Sequence, residues 1–336
     1  MNKYIKIPVL CTVIFLLTAI PVFSQNTIDK LQDNVNLFSE TIVKSLPFSS
    51  TMGLNWSDAY IGQLFDLPPH FGIGVSAGFT TMPIGSISDL AGMFGYDLPD
   101  FKAGFPLPGY TVEARGGGII LPFDIGVKFG IIPESELLSN MMGGAKIKYQ
   151  LFGADLRYSL INSKVLPVKL SIGLGYNYLS GGISKSLPID SLSFDFYSAE
   201  ADTDVSLAVP TPDLGILWKT NTMELKAQIS FPLVVITPYA GAGISWAWSE
   251  AGYQVKSKIQ VNGADITDSM IEDLKGLGVS GITDNGFESI LKDDNFNMRL
   301  FGGFSLNITV LRIDLTAMYN VMNNGFGFTV GTRFQL

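Results

Sequence analysis

Apolar and polar residues alternate at every second position through much of the chain, most regularly at its C-terminal end. Residues 326, 328, 330, 332, 334 and 336 are Phe, Phe, Val, Thr, Phe and Leu, whereas the residues between them are Gly, Thr, Arg or Gln. A period of two is typical of a β-strand with one apolar face. Residues 154–160, 170–178, 299–308 and 311–319 repeat the pattern. The alternation therefore predicts an all-β protein.

The same pattern along the whole chain predicts fourteen strands, with twelve as the alternative. They cover 51–61, 70–82, 110–119, 122–131, 144–161, 165–182, 191–209, 212–219, 222–231, 236–249, 251–262, 296–307, 308–320 and 325–336. Bacterial transmembrane barrels have an even number of antiparallel strands, so both counts are consistent with a closed barrel.

The sparsity of charge favours a membrane barrel over a soluble sandwich. Charged residues make up 15% of the chain, against roughly 25% in typical soluble domains. The uncharged stretch 227–248 has the length of a spanning helix, but Pro232, Pro238, Gly241 and Gly243 interrupt it, so it reads as two strands and a turn. Without helical spans, a closed barrel satisfies the backbone in lipid. We therefore predict a transmembrane antiparallel β-barrel of the cell outer membrane.

Residues 1–24 have the pattern of a signal peptide. Lys3 and Lys6 precede an apolar stretch at 7–23, and Ser24 ends a cleavage site before Gln25. A retained anchor is less favoured, because the stretch is short and no basic cluster follows it. Cleavage removes Cys11, the single cysteine. It also removes two of the 22 basic residues and none of the 30 acidic ones, so the formal charge moves from −8 to −10.

An amphipathic helix is predicted between the signal peptide and the barrel. Apolar residues recur there at spacings of three and four: Ile28, Leu31, Val35, Phe38, Ile42 and Leu46. We expect Pro47 to end this helix. The predicted organisation is a signal peptide at 1–24, a helical plug segment at 25–48 and the barrel at 49–336. Whether the helix lies in the lumen or in the periplasm stays open.

Two long loops, 83–109 and 263–295, are predicted, with short helices at 87–94 and 267–275. Counting back from a periplasmic C-terminus places loop 263–295 outside the cell. This loop is acidic, which suits either a solvated surface or divalent cations, and the spacing of an EF-hand is absent.

Charged residues on the predicted strands share the face opposite the apolar one. The candidates for the lumen are Arg115, Asp155, Arg157, Arg299, Arg312, Asp314 and Arg333. They are expected to form an interior ion-pair network, with a solute-selecting constriction as the alternative. The aromatic residues are expected in the interfacial girdles of the barrel: Trp56, Trp218, Trp246, Trp248, Tyr176 and Tyr178.

Several classes of chemistry are not expected. His70 is the single histidine, which excludes metal sites built on paired histidines. It follows two prolines in a turn-like context without a matching nucleophile motif, so a histidine-based catalytic triad is not expected. No catalytic residues, metal site or cofactor are predicted, and the protein is not expected to be an enzyme. An acidic chain lacks the basic face that nucleic acid requires.

The last strand also resembles the C-terminal insertion signal of bacterial outer-membrane proteins. Thr329, Gly331, Phe334 and Leu336 match its polar, glycine, aromatic and terminal apolar positions. The resemblance implies recognition by the barrel-insertion machinery. Outer-membrane lipid, and lipopolysaccharide or its equivalent, are the other expected partners.

The ground plan is similar to that of the FadL-like transporters: a signal peptide, an N-terminal helical segment and about fourteen strands. This resemblance implies passive transport or binding of small hydrophobic solutes through a plugged barrel. The Asn-Pro-Ala element of that family is absent, so no ligand-binding residues carry over. The alternative is a surface-exposed structural or adhesive protein without a transport role.

Overall fold

The computed structural model describes residues 25–65, 69–83, 104–119, 121–132, 139–140, 144, 146–162, 167–186, 191–198, 203–276 and 282–336. The side chains of residues 25–36 and of most of 192–207 are outside the described part. The helices are α1 (Gln25–Ser50) and α2 (Asp268–Gly276). The strands are β1 (Phe71–Met82), β2 (Phe105–Gly117), β3 (Phe123–Ile132), β4 (Lys146–Asn162), β5 (Lys169–Ser186), β6 (Ser191–Ser198), β7 (Thr203–Pro210), β8 (Asp213–Ser230), β9 (Ile236–Lys256), β10 (Gln260–Val261), β11 (Ala264–Asp265), β12 (Ile282–Thr283), β13 (Gly286–Ile308), β14 (Leu311–Asn320) and β15 (Phe326–Gln335).

Ten of the described strands form a closed antiparallel barrel, in the order β1, β2, β3, β4, β5, β8, β9, β13, β14 and β15. Pairing of β1 with β15, from Gly72–Gln335 to Thr80–Gly327, closes the ring. The short strand β12 extends the sheet by pairing with β13. The barrel prediction is confirmed, because every strand of the ring has a neighbour on both sides.

The predicted count of fourteen strands is wrong, and so is the alternative of twelve. Strand β8 runs straight through two predicted strands, 212–219 and 222–231, and β9 runs through most of 236–262. Predicted strand 191–209 lies outside the ring, in a separate sheet. Residues 51–61 form no strand. Long strands such as β8 and β9 contain polar residues that resemble turns in the sequence. Each of these strands was therefore predicted as two, and the predicted number of strands was too high.

The two faces of the barrel wall differ as the alternation predicts. On β3, Ile125, Val127 and Phe129 are about half exposed and point outward, whereas the alternating residues Asp124 and Lys128 are buried. On β15, Phe326, Phe328 and Val330 point outward in the same way. Apolar side chains therefore cover the outside and polar ones fill the inside. Among the described residues, no helix has the length and apolar character needed to cross a membrane.

The connections divide the barrel into two unlike ends. The turns 118–122, 163–168, 231–235 and 309–310 are short and lie at the end that holds the last residue of β15; we call this end the base. At the opposite end, the mouth, β1 ends and β2 begins, as do β5 and β8, and β9 and β13; the stretches of chain between them, 83–104, 187–212 and 257–285, are long. Both predicted loops are shorter than expected, because β2 begins at Phe105 and β13 at Gly286. The helix predicted at 87–94 is outside the described residues.

A folded unit of two connections lies at the mouth; we call it the loop module, formed by β6, β7, β10, β11, β12 and α2. β7 pairs with β6 and with β10, which joins residues 191–210 to residues 260–265. The buried side chains Val209, Ile259, Val261, Ile271 and Ile282 form its core. Helix α2 confirms the predicted helix at 267–275, and the Met270 amide donates to Thr267 Oγ1 at 3.4 Å, which caps it.

Residues 38–61 lie within the ring of strands; we call them the inner segment. Helix α1 continues past Pro47 to Ser50, so the predicted helix end at Pro47 is wrong. The proline removes one backbone donor from the last turn, where the Ser50 hydroxyl donates to the Pro47 carbonyl at 2.7 Å. Gly53, with φ of 82°, then turns the chain into an extended path. Among the inner-segment residues after α1, Trp56, Ala59 and Tyr60 are almost fully buried.

Candidate functional site: the filled lumen

Asp58 of the inner segment binds three basic side chains near the base. Arg333 Nη2 on β15 donates to its carboxylate at 2.8 Å, and Arg312 Nη1 on β14 lies 3.3 Å away. The Asp58 carbonyl accepts from Arg157 Nη1 on β4 at 2.7 Å. The carboxylate is buried, and such a charge is stable only when it is paired and hydrogen-bonded. Asp58 therefore ties the inner segment to three strands at once.

Asp124 on β3 is the centre of a second cluster. Its carboxylate accepts from Arg115 Nη1 at 2.5 Å and from Arg157 Nε and Nη2 at 2.8 and 2.9 Å. The backbone amide of Ile61 donates to the same group at 3.2 Å. These side chains are almost completely buried. Asp124 thus joins β2, β3, β4 and the inner segment.

The cluster continues across the lumen through paired charges. Arg115 Nη2 lies 2.7 Å from Asp155, and Lys226 Nζ donates to Asp155 at 2.5 Å. Farther along the wall, Arg299 Nε donates to Glu224 at 2.6 Å. Among the described residues, six buried basic side chains face six buried carboxylates. Because the numbers are equal, each buried charge can have a partner of opposite sign, and this offsets the cost of removing it from water.

Trp56 links the two clusters at the middle of the lumen. Its indole Nε1 donates to Glu113 at 2.6 Å. The guanidinium groups of Arg333 and Arg115 lie 4.5 and 5.7 Å from its ring, within the range of cation–π interactions. Trp56 was expected in an interfacial girdle, and this prediction is wrong because residue 56 belongs to the inner segment.

Above Trp56, the contacts change from charged to apolar. Lys128 Nζ donates to the carbonyls of Ser50 and Met52 at 2.8 and 2.5 Å, where α1 ends. The apolar side of α1 then packs at the mouth against buried residues of β1, β2, β4, β5, β8 and β9. This mouth cluster includes Phe38, Ile42, Val43, Leu46, Met82, Phe105, Tyr149, Leu151, Leu179, Trp218 and Ala251. Trp218 is therefore also inside the barrel, contrary to the girdle prediction.

Most of the site residues predicted from the sequence lie on the inner face of the barrel, and the others lie at the base or on the outer wall. The buried inner-face set is Arg115, Asp155, Arg157, Arg299, Asp314 and Arg333. Arg312 lies at the base with a fifth of its side chain exposed. In the insertion-signal motif, Thr329 points into the lumen, whereas Phe334 and Leu336 point outward. Trp246, Trp248 and Tyr176 are about half exposed on the outer wall, as a girdle requires.

Of the predicted helix stripe, the structure describes Phe38, Ile42 and Leu46, which are buried in the mouth cluster. The side chains of Ile28, Leu31 and Val35 lie outside the described part.

Half of the buried charged residues in the lumen were not predicted from the sequence. The missed residues are Asp58, Glu113, Asp124, Lys128, Glu224 and Lys226. All except Asp58 alternate with apolar residues on predicted strands. The alternation could therefore have predicted that their side chains point into the lumen. Asp58 carried no such signal.

A cavity of about 20 Å³ lies in the lumen beside Asn55, Trp56 and Asp314. A water molecule needs roughly 10–15 Å³ of this kind of space, so the cavity suits a water molecule rather than a solute. The described residues contain no group of three or more His, Cys, Asp or Glu side chains that would hold a metal ion.

The small residues on β1 make room for the inner segment, which predicts a position-specific effect. A Cβ at Gly72 would lie 2.9 Å from the Trp56 ring, whereas a Cβ at Gly116 would meet nothing within 4 Å. We expect Gly72→Ala to lower the free energy of unfolding by about 1–3 kcal/mol through overpacking. Gly116→Ala, the matched control on the neighbouring strand, is expected to change it little. Urea unfolding in lipid vesicles measures both, and equal effects would contradict the packing described here.

Comparison with known proteins gives one family match. A family model described as Lsa36-like matches residues 98–336, more than half of the chain. No curated protein matches the sequence.

Three solved structures are similar to most of this chain at low sequence identity. A major outer membrane protein of Thermus thermophilus is 13% identical, with a TM-score of 0.28, covering 79% of this chain and 99% of its own. LpxR of Salmonella typhimurium is 7% identical, with a TM-score of 0.30, covering 79% and 100%. Ail of Yersinia pestis, crystallised with a heparin analogue, is 7% identical, with a TM-score of 0.22, covering 80% and 97%. Likenesses this low carry no functional argument, and the fold assignment rests on the strand pairing.

Proposed function

The chain belongs to the Lsa36-like family, and we propose that it is a non-conducting barrel of the outer membrane that holds a folded module at the cell surface. Its role is then structural or adhesive, with the loop module as the contact surface. The proposal includes no catalytic step and no cofactor.

One observation carries this proposal: residues 49–61 of the inner segment hydrogen-bond to all ten strands of the ring. The bonding residues, one per strand from β1 to β15, are Thr80, Glu113, Asp124, Arg157, Lys169, Ser230, Tyr239, Arg299, Asp314 and Arg333. A solute could cross only if most of these bonds broke, and the buried charges among them would then lose their partners. The geometry therefore favours a plug that stays in place over the transport of hydrophobic solutes.

Conductance separates this proposal from transport. Purified protein in planar bilayers, and in liposomes loaded for solute-influx assays, is expected to show neither ionic conductance nor uptake of small hydrophobic compounds. The transport hypothesis predicts uptake that saturates with solute, or a hydrophobic ligand that co-purifies. Either result from the full-length protein would overturn the proposal.

The loop module is expected to fold with its own core on top of a stable barrel. Ile259 is buried in that core, whereas the neighbouring Lys258 is exposed. Burying an unpaired carboxylate costs several kcal/mol, so Ile259→Asp is expected to make the module sensitive to protease. The barrel should keep its heat-modifiable gel mobility. Lys258→Asp is the matched control, and equal protease resistance of both variants would show that the module has no packed core.

The exposed charges of the barrel wall support an orientation in the membrane. Exposed lysines on the described barrel strands lie near the mouth, above the aromatic residues Tyr176, Trp246 and Trp248: Lys146, Lys148, Lys219, Lys256 and Lys292. Bacterial barrels place short turns in the periplasm and long loops outside. We therefore propose that the mouth faces outward, in contact with the phosphates of outer-leaflet lipid or lipopolysaccharide. The outward face of β15 is then the surface that the insertion machinery would read.

A cleft on the outer wall gives this lipid contact a test. Lys148, Lys219 and Glu250 line a hollow of about 210 Å³, together with small residues such as Gly181 and Gly252. Charge reversal in Lys148→Glu/Lys219→Glu is expected to reduce the anionic lipid that co-purifies with the barrel in mild detergent, as measured by mass spectrometry. Lys258→Glu, away from the cleft, is the control. Unchanged lipid in the double variant would remove the cleft as a lipid contact.

A further inference from the structure

We infer that the chain threads the barrel from base to mouth, so that the N-terminal end of α1 lies outside the cell beside the loop module. The statement that this side is outside rests on the orientation proposed above. The threading itself rests on contacts between the inner segment and the wall, which follow the chain in order.

The last residues of the inner segment bind the base. The Ile61 amide donates to Asp124, at the second residue of β3, and Lys169 Nζ, at the first residue of β5, donates to the Tyr60 carbonyl at 2.8 Å. The Ala59 amide donates to Ser230, the last residue of β8, at 3.0 Å. All three strand positions lie beside the short turns of the base.

Residues earlier in the inner segment bind progressively higher rungs of the wall. The Asn55 side chain accepts through Oδ1 from Arg299 Nη1 at 3.1 Å, and Arg299 lies nine residues from the base end of β13. Ser49 Oγ and Thr80 Oγ1, near the mouth end of β1, lie 2.7 Å apart. Each step toward the N-terminus is thus a step away from the base.

Helix α1 completes the path at the mouth. Asn323, in the turn between β14 and β15 at the mouth, donates through Nδ2 to Ser45 Oγ at 3.3 Å. The buried face of α1 there meets Met82, Phe105 and Tyr149, which stand at the mouth ends of their strands. The chain therefore leaves the ring where the long connections begin.

The continuity of α1 excludes a return to the base. The helix is unbroken from Ser50 to Gln25, and at 1.5 Å per residue the thirteen residues from Phe38 back to Gln25 extend by about 20 Å. The lumen below is occupied by residues 49–61, so a second pass through it has no room. The N-terminal half of α1 consequently belongs to the same side as the loop module.

Two consequences follow for this surface. The protein presents an N-terminal helix together with two connected loops, rather than loops alone. A segment attached before Gln25 would also be displayed on this side, whereas one attached after Leu336 would lie at the base.

Single-cysteine labelling of intact cells tests the inference, because Cys11 is the single cysteine and lies in the proposed signal peptide. Three full-length variants are compared: Asn26→Cys at the start of α1, Glu272→Cys on exposed α2, and Val234→Cys in the exposed β8–β9 turn at the base. A membrane-impermeant maleimide is expected to label Asn26→Cys and Glu272→Cys on intact cells. It should label Val234→Cys only after the outer membrane is permeabilised.

The three positions separate the possible failures. If Asn26→Cys is protected like Val234→Cys while Glu272→Cys is labelled, the threading inference is overturned and the proposed orientation stands. If Val234→Cys is labelled on intact cells and Glu272→Cys is protected, the proposed orientation is overturned, and the N-terminus is then not outside the cell unless it parts from the loop module.

Discussion

Deletion of residues 25–61 is expected to turn a non-conducting barrel into a water-filled pore. The deletion removes Asp58, Trp56 and the backbone groups that bind Lys128, Arg157 and Lys169. Charged side chains that lose buried partners take water instead, because an unpaired buried ion costs far more than a hydrated one. The wall keeps its own ion pairs, such as Arg115–Asp124 and Arg299–Glu224, so the ring is expected to hold. Stepwise conductance in planar bilayers is the measurement.

A shorter deletion, of residues 25–36, is the control. It leaves the inner segment intact and is expected to remain non-conducting. Heat-modifiable gel mobility and a β-type circular dichroism spectrum show that each variant has folded. A folded 25–61 deletion without conductance would mean that the wall closes by itself, and the inner segment would then not be what blocks the lumen.

Asp124→Ala is expected to be the most destabilising single substitution in the lumen. It leaves Arg115 and Arg157 facing each other without the carboxylate that both bind, and removes the acceptor of the Ile61 amide. Loss of one partner from a buried ion pair costs about 3–5 kcal/mol. The free energy of unfolding in lipid vesicles, measured by urea titration, is expected to fall by that amount.

Two further substitutions serve as controls for Asp124→Ala. Asp124→Asn keeps the shape and one acceptor oxygen, so it is expected to cost less than Asp124→Ala. Asp213→Ala removes a carboxylate that lies 3.7 Å from Lys146 at the exposed rim, where an ion pair contributes about 0–1 kcal/mol. If Asp124→Ala and Asp213→Ala had similar effects, the lumen would be hydrated rather than packed.

Much of the barrel follows from the alternation of residue types alone. Strand β15 was predicted to within a residue at each end, and the outward direction of Phe326, Phe328 and Val330 was predicted with it. Period-two alternation is a local property, because successive side chains of a strand must point to opposite faces. The same rule placed Arg115, Asp155 and Arg333 on the face that the structure buries.

The inner segment could not be recognised in this way, because its conformation depends on the wall. Residues 51–61 contain Leu54, Trp56 and Tyr60, whose spacing of two and four residues suits a strand. Their hydrogen bonds go to side chains of the ring and not to a neighbouring strand, as those of Asn55 and Asp58 show. Such long-range contacts leave no period in the sequence. The count of strands failed for a different, local reason: polar residues such as Thr220 and Asn221 resemble a turn, although β8 continues through them.

The two faces of strand β15 differ in chemistry and in what they contact. Its outward face carries Phe334 and Leu336, the positions that resemble an insertion signal, whereas its inward face carries Arg333, which reaches Asp58 and Asp314. A chain that inserted its final strand without threading the inner segment would bury Arg333 with half of its counter-charge missing. Closure of the ring and filling of the lumen are therefore energetically coupled. A barrel that closed without the inner segment would be less stable, because Arg333 would be buried with only one of its two carboxylate partners.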